Sequence, residues 1–232
     1  MCEKLTELVV ECINKALPII GPHSSPLIHH LVIRCHEIEN NTGILGTLKQ
    51  LLAFSTENKE AIVAAFRHLL SLRPPPTLHR SSDWVSAGPA FAEALREAGL
   101  APWLLAIVTL EDEADDRYFY RRQALTTLAA LVEHTPDKAD RRDLGKLFLD
   151  SDKAVEAAID LAGDSYYAEE VKGALASLAK DYSEGATRLE KEGLSVAAVT
   201  KTAEVAVEGP ALFHHEEPVE MKKKRSRWCF WM

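Results

Sequence analysis

Apolar residues recur along this chain at intervals of three and four, the spacing that lines one face of a helix. In residues 2–16, Leu5, Leu8, Val9, Cys12 and Ile13 share such a face. Pro18, Gly21 and Pro22 end that stretch. Ser25 followed by Pro26 supplies a cap and a proline at the first helical position, which predicts a helix to about Glu39. Gly43 opens an apolar helix, GILGTLKQLLAF. Thr56 is expected to cap the next, ENKEAIVAAFRHLLSL, where Glu57 and Glu60 suit the positive N-terminal end. Residues 73–83, RPPPTLHRSSD, read as a proline-rich break, because three consecutive prolines cannot continue a helix and favour extended chain. Helices resume at Gly88-Pro89 and follow over about 101–111, 115–133, 136–149, 151–162 and 165–182. Thr135-Pro136 is the expected start of the 136–149 helix. A weaker pair covers about 184–207. No segment alternates with period two between turn signals, so the expected fold class is all-α, with short connections joining antiparallel helix pairs. The expected organisation is one helical domain over 1–207 and a disordered basic tail over 208–232.

Three of these helices carry one local pattern. Ala65-Phe66-Arg67-His68-Leu69-Leu70, Ala124-Leu125-Thr126-Thr127-Leu128-Ala129 and Ala174-Leu175-Ala176-Ser177-Leu178-Ala179 each place a small residue, a large apolar one and, after two positions, a leucine on one face. The alanine lets a neighbouring helix approach, and the leucines fill the space between layers. Before the first two copies stand a glycine, a leucine-rich helix and a polar or acidic loop. The pattern over about 43–182 resembles the armadillo repeat. The resemblance implies an armadillo- or HEAT-like right-handed superhelix with a surface for a protein or peptide partner. The copies begin at 65, 124 and 174, intervals wider than the roughly 40–47 residues of regular repeats. The proline segment and an extra helix at 88–98 are expected to account for the first interval. An irregular helical bundle is the alternative.

Composition narrows the function classes. Of 232 residues, 47% are apolar, enough for a core. The longest apolar run, Leu100 to Leu110, is too short to span a bilayer. Glu3, Glu7 and Glu11 break the N-terminal stretch, so no signal peptide is read there. The expectation is a cytoplasmic protein, membrane-associated through its tail, with the nucleus as the alternative. The net charge is −8, and Lys222, Lys223, Lys224, Arg225 and Arg227 supply five of the 27 basic residues. The rest therefore carries 22 basic against 35 acidic residues, or −13, a poor general surface for nucleic acid.

The chemistry-bearing candidates are few. Cys2, Cys12, Cys35 and Cys229 form no CxxC pair. His23, His29, His30, Cys35 and His36 cluster in sequence but meet no zinc spacing, and one helix cannot turn all five to one side. They are read as ordinary helix residues. The acidic run 111–116, EDEADD, lacks the alternation and central glycine of a calcium loop, so it is read as a solvated loop. GxGxxG, GxSxG and HExxH are missing. The expectation is a protein without catalytic residues, cofactor, metal or small-molecule substrate. Arg117, Arg121 and Arg122, interleaved with Tyr118, Phe119 and Tyr120, are the candidate partner surface, since arginine and tyrosine dominate interface hot spots.

The C-terminus, MKKKRSRWCFWM, resembles a CaaX prenylation motif with Cys229 as the lipidated residue. Phe230 and Trp231 stand where that motif has aliphatic residues. The same segment reads equally as a nuclear localisation signal through KKKR, as an unlipidated membrane contact through Trp228 and its basic neighbours, or as an inert end. The expected function is a non-catalytic interaction adaptor. A nuclear regulatory or transport factor and a helical accessory subunit of an enzyme are the rivals.

Overall fold

A computed structural model describes residues 25–37, 42–71, 78–110 and 117–194. The expected helix over 2–16, the acidic run 111–116 and the tail over 208–232 lie outside the described residues. Those described form eleven helices and no strand: α1 (Ser25–Glu37), α2 (Thr42–Phe54), α3 (Thr56–Ser71), α4 (Leu78–Ser86), α5 (Pro89–Ala98), α6 (Leu100–Val108), α7 (Arg117–His134), α8 (Lys138–Leu149), α9 (Asp152–Gly163), α10 (Ala168–Ala179) and α11 (Ser183–Lys191). No helix among them is long and apolar enough to cross a membrane.

Local chemistry sets the boundaries. α5 begins where the sequence places it, with Gly88 at φ 130° and Pro89 at the first position. It ends at Gly99, whose φ of 95° only glycine adopts without strain and whose N–H bonds the carbonyl of Arg96. Three expectations need correction. Leu78–Ser86, assigned in large part to the break, is helix α4. Three prolines bar a helix through themselves, but after them Leu78, Ser81, Trp84 and Val85 fall on one face and are all buried. The start of α8 is capped by Asp137, whose carboxylate accepts the Asp140 N–H at 3.0 Å. Thr135 is instead buried, with its hydroxyl donating to the carbonyl of Leu131 at 2.7 Å. Ser55, rather than Thr56, offers its hydroxyl to the Asn58 N–H at the start of α3.

The apolar positions of the three-copy pattern are all buried: Ala65, Phe66 and Leu69; Ala124, Leu125 and Leu128; Ala174, Leu175 and Leu178. α4 lies between the first copy and the second. Phe66 of α3 meets Trp84 of α4 at 5.0 Å and Phe91 of α5 at 5.8 Å between ring centroids. Ser81 of α4 meets Thr127 of α7 at 3.5 Å. The second and third copies pack on each other directly. Arg122 bonds Glu170 near the starts of α7 and α10, and Ser177 donates to Glu133 at 2.6 Å near their ends, so the two helices run in the same direction. At α8 the backbones come closest, since a Cβ on Gly145 would lie 2.2 Å from the carbonyl oxygen of Leu178. Only glycine fits that crossing. Arg141 donates to Asp181 at 2.6 Å and holds its carboxyl below the usual carboxylate range.

Candidate functional site

Around the first turns of α7 lies a cluster of arginine and aromatic side chains. Arg122 sits between two rings, its guanidinium carbon 5.3 Å from the centroid of Phe119 and 5.0 Å from that of Tyr167. One of its nitrogens donates to Glu170 at 2.8 Å. Tyr167 is met edge-on by Tyr166 at 4.8 Å. Tyr166 is 83% exposed, far more than the other exposed large apolar side chains described, Phe54, Leu110 and Leu147. Its position is fixed by the α9–α10 turn. The Asp164 carboxylate accepts the Tyr166 N–H at 2.8 Å, and the Asp164 carbonyl accepts the N–H groups of Tyr167 and Ala168. The ring is therefore presented on a braced turn.

On the neighbouring side of α7 lies a cleft of about 300 Å³ lined by Thr109, Arg121, Lys153, Glu156, Ala157 and Asp160. Arg121 donates to the carbonyl of Leu110, whose own side chain is nearly half exposed. The Tyr118 hydroxyl lies 3.4 Å from Asp160, and its ring packs against the core. Five buried side-chain polar atoms among the described residues have no hydrogen-bond partner there. Three belong to consecutive residues of α7, the Nε atoms of Arg121 and Arg122 and Oε1 of Gln123.

Of the sequence candidates, Arg121 and Arg122 come together here, both partly buried and both engaged by this chain. Arg117 opens α7, and its side chain lies outside the described set. Lys222, Lys223, Lys224, Arg225, Arg227, Trp228 and Cys229 also lie outside it. Tyr166, Tyr167 and Glu170 were missed. They lie in and just before α10, and Glu170 is 48 residues from Arg122. The available signal was the tyrosine pair in the polar connection DSYYAEE, where large rings have no local core to enter.

No family model, no curated protein and no solved structure matches this chain.

Proposed function

We propose that this protein is a non-catalytic interaction adaptor. It presents the Arg122–Tyr166–Tyr167 face of an armadillo- or HEAT-like array to a protein or peptide partner. The observation that carries this reading is the exposed Tyr166, braced by its turn and backed by the Tyr167–Arg122–Phe119 stack. Tyrosine and arginine anchors with restricted freedom lose little entropy on binding, which is why hot spots favour them. The acidic body favours a partner with basic or neutral contact residues.

The repeat part of the reading rests on register. Several inter-helix contacts join residues 40 to 48 apart: 44 for Arg96 to Asp140, 48 for Arg122 to Glu170, 44 for Glu133 to Ser177 and 40 for Arg141 to Asp181, while two at the C-terminal end are shorter, 32 for Asp150 to Tyr182 and 36 for Asp152 to Arg188. The first four intervals fall at or near the roughly 40–47 residues of an armadillo or HEAT unit. The shared direction of α7 and α10 is what translation by one repeat produces. An up-and-down bundle sets its sequential neighbours antiparallel.

Affinity capture from cell extract, quantified by mass spectrometry, tests the adaptor reading. Tyr166→Ala combined with Arg122→Ala should reduce capture of the principal partner by at least about 30-fold, the effect of losing a hot spot. Leu147→Ala, another exposed apolar position, should leave it unchanged. Equal loss in both variants, or none in either, would count against this face.

The tail adds a second attachment in this reading. Lys222, Lys223, Lys224, Arg225 and Arg227 stand beside Cys229, and each basic residue near an anionic leaflet contributes about 1 kcal/mol. One lipid chain holds weakly alone and needs such a second signal. The body's −13 opposes approach to anionic lipid. Binding to phosphatidylserine vesicles should therefore fall steeply with salt and vanish when the five basic residues become glutamine. Cys229→Ser should release the protein from cell membranes but leave unmodified recombinant protein binding as before. Full-length and tail-deleted protein that are equally absent from vesicles at low salt would refute membrane attachment.

A further inference from the structure

We propose that His29 and His68 form a binding site for a divalent transition-metal ion of the zinc type, bridging α1 to α3. The chain brings them together from different helices. Their rings stand 5.3 Å apart between centroids, with planes tilted by 38°, and both side chains are exposed.

The centroid separation matches that of two imidazoles around one tetrahedral ion when a nitrogen of each ring turns toward the shared point. Zinc–nitrogen bonds of about 2.0–2.1 Å place the ion about 3.2 Å from each ring centroid, so a tetrahedral angle sets the centroids about 5.2 Å apart. A right angle, as in octahedral coordination, would set them at about 4.5 Å. A plain ring contact also falls in the aromatic range, and titration separates the two. Among the described residues no group of three or more His, Cys, Asp or Glu side chains is placed to hold a metal. Among the described residues the site has two protein ligands, His29 and His68, and a site of two ligands with water completing the shell binds more weakly than a closed four-ligand site. Imidazole donors select zinc, nickel or copper over magnesium or calcium, which take oxygen.

No zinc spacing in sequence points to this pair, because His68 lies in α3, inside the first copy of the leucine pattern. His30 is exposed as well, but successive helix residues point about 100° apart, so it does not share the direction of His29. An ion held by both rings would tie α1 to α3 across the outside of their packed interface.

The test uses the full chain, stripped with EDTA and titrated with zinc chloride, read by calorimetry and by Tm. Wild type should show a saturable site and a rise in Tm, because the ion binds only where folding has brought both rings together. His29→Ala and His68→Ala should each weaken that site at least tenfold and remove the rise in Tm. His30→Ala should retain both, and magnesium chloride should have no effect. Both positions are exposed, and circular dichroism before zinc addition should match wild type. Absence of zinc binding in wild type, or a Tm rise that survives both single variants, overturns the proposal.

Discussion

Phe66→Ala should destabilise the protein by about 3–5 kcal/mol, the range for removing a fully buried phenylalanine. Phe66 is entirely buried and joins three helices, with Trp84 of α4 at 5.0 Å and Phe91 of α5 at 5.8 Å. Its removal costs the transfer of the ring, the tilted contact with Trp84, the edge contact with Phe91 and the cavity left between them. Those neighbours are themselves buried and large, so the site cannot close by a simple rotamer change. Urea denaturation followed by circular dichroism should show a lower midpoint with an unchanged slope. A loss below about 1 kcal/mol would mean that α4 is not wedged between α3 and α7, and that the aromatic joint does not hold the N-terminal helices to the rest.

Leu128→Ala should cost about 2–5 kcal/mol. Leu128 is fully buried near the middle of α7 and occupies the last leucine position of the second copy, as Leu178 does in the third. α7 is the longest helix described and packs against helices both before and after it in the chain, including α4, α6 and α10. A cavity there weakens several interfaces together. Leu147→Ala, at an exposed position of α8, should change stability by less than about 0.5 kcal/mol. Similar losses in the two variants would show that the leucine pattern does not report the core.

The elements legible in sequence were those whose cause is local. Ala124, Leu125 and Leu128 fall on one face by spacing alone, and all three are buried. Gly88-Pro89 marks a helix start because glycine tolerates the turn and proline needs no donor at the first position. Helix α4 was illegible because Pro74, Pro75 and Pro76 dominate its neighbourhood and three of its residues, Ser81, Ser82 and Ser86, are serines. Ser81 is buried with its hydroxyl donating to the Leu78 carbonyl at 2.7 Å and meeting Thr127 of α7 at 3.5 Å. The Thr135 assignment failed for a related reason. A threonine before proline looks like a cap, yet its hydroxyl satisfies the carbonyl of Leu131, and Asp137 takes over the helix start.

The candidate site was half legible. Arg121 and Arg122 stood out as arginines among aromatic residues. Their roles differ from a freely projecting surface because Glu170 of α10 and Tyr167 just before it engage Arg122. Residues 48 apart meet because α7 packs against α10, which no local spacing encodes. The exposure of Tyr166 depends in turn on Asp164, whose carboxylate fixes the turn. The His29–His68 contact is invisible in sequence on the same ground.

The most direct measurement of the adaptor reading is amide hydrogen exchange, comparing the protein alone with its purified complex with the captured partner. The account predicts slower exchange on binding over residues 117–123 and 164–170, the start of α7 and the turn that carries Tyr166, with the exposed face of α8 unaffected. Protection confined to other segments, with 164–170 exchanging at the same rate in both states, would contradict it.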